Sequence, residues 1–153
     1  MERIASFNVD HRFINEGVYI SRIDGDITTY DLRTRKPNTD CLMDNATMHS
    51  LEHLFATFVR NSEISKDVIY FGPMGCQTGF YLLIRNADDE VVLEIIKKIL
   101  SDISEYNGEM PGNSEIECGN YKNLSVGLAK TEAKTYLEKI KNNTTEDLKY
   151  GTE

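Results

Sequence analysis

The chain has 153 residues, 40% apolar and 27% charged, a composition that fits one ordinary globular domain. Seventeen basic residues against 25 acidic ones leave a formal charge of -8 and a pI near 4.9, which excludes nucleic acid as a first expectation because phosphate binding needs a basic footprint. No segment approaches the roughly 18 uninterrupted apolar residues of a membrane span; the densest, Val91 to Leu100, is broken by Glu94, Lys97 and Lys98.

In chain order, Val18, Ile20 and Ile23, then Ile27, Tyr30 and Leu32, flank Asp24-Gly25, a pair that signals a hairpin because both turn positions favour positive φ. Asp44 to Arg60 reads as a helix opened by the N-cap formers Asp44 and Asn45. Strand character returns in Asp67 to Phe71 and in Phe80 to Ile84, separated by a turn rich in glycine from Gly72 to Gly79. Asp88 to Tyr106 places Val92, Ile95, Ile96, Ile99 and Ile103 at helical spacing, and Leu124 to Lys141 does the same with Leu128, Ala129, Ala133, Tyr136, Leu137 and Ile140. Residues 142–153 are polar enough to predict a frayed tail. The expected fold is α+β: a single two-layer domain whose largely antiparallel sheet is covered on one face by helices.

The opening Met1-Glu2-Arg3-Ile4 has no positive region followed by an apolar run, so no signal peptide is expected. Cys41, Cys76 and Cys118 are an odd, widely spaced set, which suits reduced thiols in a cytoplasmic protein. Triplets such as Asn45-Ala46-Thr47 and Asn123-Leu124-Ser125 then carry no glycosylation meaning.

The chemistry concentrates in His49-Ser50-Leu51-Glu52-His53. At about 100° per residue the two histidines stand one turn apart, about 40° from each other, with Glu52 beside them. Met48, Leu51, Leu54, Phe55 and Phe58 fall between about 140° and 260° on the same wheel, so the apolar stripe lies opposite. A plain solvated face would explain one histidine; two in register flanking a glutamate form the H-x-x-E-H arrangement, in which both imidazoles bind one metal and the glutamate handles a proton. A catalytic metal wants a third protein ligand, for which Cys118 competes with Glu115 and Glu117; by residue chemistry alone a His₂Cys set suggests zinc. Cys118 as a small buried hydrophobe is the plainer alternative. Cys76 sits in the glycine-rich turn, where backbone N–H groups would support a thiolate, whereas Cys41, beside Leu42 and Met43, reads as packing.

Taken together these segments resemble S-ribosylhomocysteine lyases, the LuxS family, over most of the chain. Ser6-Phe7-Asn8-Val9-Asp10-His11 is similar to the family's opening SFxxDH, and Tyr30-Asp31-Leu32-Arg33 with Lys36-Pro37-Asn38 to its F-D-[IL]-R and PN stretch. His49 to Leu54 resembles H-T-x-E-H-L with Ser50 for threonine; Pro73 to Tyr81 matches P-M-G-C-Q-T-G-[FY]-Y; and Cys118-Gly119 stands at the family's ligand cysteine. The resemblance implies one iron(II) per subunit held by His49, His53 and Cys118, with zinc as a possible substitute, and a homodimer with active sites at the subunit interface. It also implies a reaction in which the ribose carbonyl of S-ribosylhomocysteine migrates from carbon 1 to carbon 3. Loss of the carbon-4 proton then expels homocysteine and leaves 4,5-dihydroxypentane-2,3-dione, the precursor of a quorum-sensing signal. Glu52 and Cys76 match the proton carriers, with the metal or Arg33 as positive support for the thiolate, and Ser6, His11 and Arg33 match substrate-binding positions.

Two departures bear on substrate contacts. Tyr70 stands where the family often has an acidic residue, and Thr34-Arg35-Lys36 is more basic than the family pattern. Two rival readings share part of the motif: an inverted-zincin metallopeptidase, which leaves Cys76 unexplained, and a non-catalytic metal-binding protein, which needs neither Glu52 nor Cys76.

Overall fold

Alternating apolar residues build four strands, and apolar residues at helical spacing build the three helices that cover them. In the computed structural model, which describes residues 1–39 and 41–151, the strands are β1 (Gly17–Asp24), β2 (Ile27–Arg33), β3 (Val68–Pro73) and β4 (Gly79–Arg85). They form one antiparallel sheet in the order β1-β2-β4-β3. The helices are α1 (Asn45–Val59), α2 (Asp89–Ser104) and α3 (Val126–Ile140). The expected α+β architecture is what the chain adopts.

One strand face carries Val18, Tyr30, Leu32, Phe71, Phe80, Leu82 and Ile84 into a core shared with Leu51, Leu54 and Phe55 of α1 and Ile96, Ile99 and Ile103 of α2. Phe55, Phe71 and Phe80 stack in succession, with centroids 4.4 and 5.1 Å apart. Tyr136 of α3 is buried to the same depth, and its hydroxyl donates to the Gly17 carbonyl at 2.6 Å, tying the last helix to the first strand. Each helix opens on a side-chain cap: Asp44 accepts from the Thr47 N–H, Asp88 from Val91 and Ser125 from Leu128. The Thr47 hydrogen bonds hold the Asp44 carboxyl below its ordinary pKa.

Four local expectations change. The hairpin turn is centred on Gly25-Asp26, because Asp24 still pairs with Ile27; the left-handed φ of 62° falls on glycine at the first central position, as in a II′ turn. Leu128 lies on the outer side of α3 and is exposed, since Ala129 and Ala133 take the close approach to the core. Cys41 is exposed rather than packed, and its carbonyl accepts a hydrogen bond from Arg35.

The segment after α3 is docked, not frayed. Thr144 forms a capping box over the short 3-10 turn Thr145–Leu148, Leu148 enters the core, and Tyr150 stacks on Tyr19 at 4.9 Å. Its polarity is that of a capped surface turn carrying two anchors. Expectations for Thr152 and Glu153 lie outside the described residues.

Candidate active site

The helical arithmetic of α1 holds: Leu51, Leu54 and Phe55 are fully buried on one side, while His49, Glu52 and His53 are half-buried on the other. What covers the histidine side is the long connection from α2 to α3. His49 Nδ1 meets Asn123 Oδ1 at 2.5 Å, and the Asn123 amide donates in turn to Asn45 Oδ1 at 2.6 Å. His53 Nδ1 meets the Pro111 carbonyl at 2.8 Å. Both partners are acceptors, so each ring donates from Nδ1, which leaves Nε2 as the atom to face a metal.

Cys118 is the third member. Its Sγ lies 3.4 Å from His49 Nε2, and donor atoms of His49, His53 and Cys118 all fall within 4.8 Å of one another. Ligands about 2.0–2.3 Å from a shared tetrahedral metal stand roughly 3.5 Å apart, so this set fits a metal ion. Glu117 instead accepts from the Ser114 hydroxyl at 2.6 Å. Carbonyl and amide partners behind ligand imidazoles fix the tautomer and ring angle.

Gly112 explains how the connection comes so close. Its φ is 71°, and a Cβ there would stand 3.0 Å from His53 Nδ1, so only glycine lets the chain pass behind the ring.

The second group sits at the ends of β2 and β4. Residues 74–78 fold into a turn in which the Gln77 N–H reaches the Met74 carbonyl at 3.1 Å and Cys76 is exposed. Gln77 holds a left-handed φ of 65°, stabilised by two hydrogen bonds with Met43: the Met43 N–H to the Gln77 carbonyl at 3.1 Å, and the Gln77 amide to the Met43 carbonyl at 2.9 Å. The turn is thereby fastened to the residue before the α1 cap.

The partner that Cys76 shows is a side chain rather than a backbone N–H: its Sγ lies 3.0 Å from Thr78 Oγ1. Thr78 accepts from Arg33 Nη1 at 2.8 Å, and Arg33 also donates to both carboxylate oxygens of Asp31, at 3.1 and 2.6 Å. Burial opposes the Arg33 charge, but Asp31 outweighs it and holds the guanidinium above its ordinary pKa.

The remaining expected residues separate. Ser6 lies against the Tyr81 phenol on the outer face of the sheet. His11 has its Nδ1 on the Val9 carbonyl at 2.8 Å, within its own short turn. Tyr70 is 52% exposed on the outer face, its phenol lying over Gly72 in the space that a side chain at position 72 would fill. Arg35 turns inward, where its guanidinium grips Glu132 of α3 through two hydrogen bonds at 2.9 and 2.5 Å, so the basic linker is a brace.

Sequence reasoning missed Asn123, Pro111, Gly112 and Thr78 as supports. Thr78 lay inside a quoted motif, while Asn123 was visible only as part of an Asn-X-Ser triplet.

An antiparallel sheet under three helices, with an imidazole pair and a thiol converging beside α1, defines an α+β protein with a His₂Cys group that could hold a metal ion. The S-ribosylhomocysteinase (LuxS) family matches residues 4–147, and the chain belongs to that family. S-ribosylhomocysteine lyase of Finegoldia magna is 44% identical over 155 residues, covering 98% of this chain and 99% of that protein. The lyases of Borrelia garinii subsp. bavariensis and Desulfotalea psychrophila are 41% and 42% identical, over 98% and 95% of this chain and 99% and 96% of those proteins.

Proposed function

We propose that the chain is an S-ribosylhomocysteine lyase, a carbon–sulfur lyase acting as one metal-dependent domain. Its products are L-homocysteine and 4,5-dihydroxypentane-2,3-dione, which makes it a source of the autoinducer precursor and a step in recycling the methyl-transfer by-product. The observation that carries the reading is the convergence of His49, His53 and Cys118, in a chain of this family. A thiol as third donor, in place of a glutamate, also favours the lyase over a peptidase.

The metal is iron(II), one per subunit, with zinc able to substitute; when bound it supplies Lewis-acid polarisation of the sugar carbonyl. The chain's own residues move protons. Shifting the carbonyl from carbon 1 to carbon 3 takes a proton from one carbon and returns one to its neighbour, and the final elimination removes the carbon-4 proton. Glu52, adjacent to His53 on α1, and Cys76, exposed at its turn, carry those protons, each near one end of the sugar. Arg33, Ser6 and His11 bind the substrate; Arg33 is supported in this by its place beside Thr78 and Cys76.

The protein works as a homodimer with active sites at the interface. Ile4 and Tyr70, both more than half exposed, line a shallow cleft with Ser6, Tyr81 and Leu83 on the outer sheet face, and this partly apolar surface suits a covering partner. Three free thiols suit the cytoplasm, and no helix among the described residues is long and apolar enough to cross a membrane.

The test is release of homocysteine from S-ribosylhomocysteine by anaerobically purified protein, with metal content measured on the same sample. Wild-type protein is expected to carry one metal per chain and release the thiol, and His53→Ala to lose both. A folded, metal-loaded wild type that releases none would overturn the assignment.

A further inference from the structure

Asp31 and Arg33 belong to the sheet face that points away from the helices, yet both are buried, at 0% and 3% exposure. Tyrosines close over them. Tyr19 and Tyr81 stand directly opposite Asp31 on the neighbouring strands, and Tyr150 comes from beyond α3 to stack on Tyr19. The Tyr150 hydroxyl donates to Asp31 Oδ2 at 2.7 Å, the same oxygen that Arg33 Nη2 reaches at 2.6 Å.

The hydrogen bonds that lead from Tyr150 to Thr78 have a fixed direction. The Asp31 carboxylate only accepts, so Tyr150 donates to it; an arginine only donates, so Thr78 Oγ1 is the acceptor from Nη1. Accepting from Arg33 leaves Thr78 its hydroxyl proton, which it can give to Cys76 Sγ at 3.0 Å; a sulfur that accepts there is in the role in which it can take up a substrate proton. Asp31 alone would be a wholly buried carboxylate on one cation, and such a group holds its geometry only when its remaining lone pairs are also satisfied.

We propose that Tyr150 is a positioning residue for the lyase reaction: through Asp31 it fixes Arg33, and through Arg33 the Thr78 hydroxyl that faces Cys76. The C-terminal segment is thereby part of the proton-transfer apparatus, although it touches neither the thiol nor the His₂Cys set. The inference rests on the reading of Cys76 as a proton carrier. Burial, and then the Asp31 charge, push the Tyr150 phenol above its ordinary pKa, so it stays a donor throughout the physiological range.

Tyr150→Phe keeps the ring for stacking on Tyr19 and removes only the hydroxyl. In the metal-loaded enzyme it is expected to lower kcat for homocysteine release about five- to tenfold, with KM within about twofold, the scale of one lost hydrogen bond. Alkylation of Cys76 by iodoacetamide at fixed pH, followed on the Cys76 peptide, should slow by a similar factor. In a Thr78→Val background, the further change Tyr150→Phe should leave the alkylation rate where it is, because the path through Thr78 is already cut.

Unchanged kcat and alkylation in Tyr150→Phe, with only a lower urea midpoint, would reduce Tyr150 to a structural anchor and overturn the proposal. An equal slowing in both backgrounds would overturn it too. Cys76→Ala run in the same assay separates the two layers. If that variant releases homocysteine at the wild-type rate, the role of Cys76 falls; if it is inactive while Tyr150→Phe is fully active, only the positioning inference falls.

Discussion

The two halves of the candidate site are held by opposite means. The imidazoles of α1 lean on neutral acceptors, a backbone carbonyl and an amide, supplied by a connection whose own conformation depends on Gly112. The Cys76 turn leans on charge, a buried Asp31–Arg33 pair roofed by tyrosines. The difference follows the chemistry proposed for each half. A ligand imidazole must present a neutral lone pair, and a neighbouring carboxylate would bias its protonation, so a carbonyl that merely fixes the tautomer serves better. A thiol that exchanges protons needs a partner whose orientation outlasts the exchange, and a guanidinium that never gives up its charge provides one.

If the halves are separable, removing the thiol should spare the metal. Cys76→Ala is expected to lower homocysteine release by about 10²–10⁴-fold, the usual weight of a general acid–base group, with metal content unchanged. Metal analysis alongside the rate measurement checks this, and a variant that loses both would join the halves into one unit.

The converse change, Asn123→Ala, frees the His49 ring from its acceptor. Metal affinity should fall about 10–100-fold, read by competition with a chelator, while Cys76 alkylation of the metal-free protein stays at the wild-type rate.

The smallest effect tests the platform that both halves share. Asp44→Ala removes the α1 cap and should cost about 1 kcal/mol of stability in urea unfolding. The folded pKa of Asp44 is depressed, so its contribution is fully present above the unfolded carboxylate pKa and is lost as pH falls through the folded value. The gap between wild type and Asp44→Ala should therefore close at acid pH.

Much of the first half could be read in the sequence because α1 carries its own periodicity. His49, Glu52 and His53 share a face by spacing alone, and Leu51, Leu54 and Phe55 mark the other. The supports were not legible, since Pro111 and Asn123 lie 58 and 74 residues from the rings they hold, and no local pattern records such a pairing. The second half was illegible in a different way. Alternation along β2 assigns Asp31 and Arg33 to the face opposite Tyr30 and Leu32, where polar residues normally meet water. Tyr19 and Tyr81 flank them, and the cover is completed by Tyr150, more than a hundred positions later, in a stretch whose composition suggests a loose end.

The hairpin turn slipped by one residue because Asp24-Gly25 and Gly25-Asp26 are both good turn pairs. Only the pairing of Asp24 with Ile27 chooses between them.

Because Gln77 fastens the Cys76 turn to Met43, and α1 begins at Asn45, the thiol and the imidazoles are geared together by a counted number of helical residues. A single residue inserted between Asn45 and His49 would advance the rings by about 1.5 Å and swing them through about 100°, out of phase with the turn. The same insertion beyond Phe58 would leave that phase untouched. The first turns of α1 are thus an indexing device, in which length, more than side-chain identity, sets where the imidazoles stand relative to the thiol.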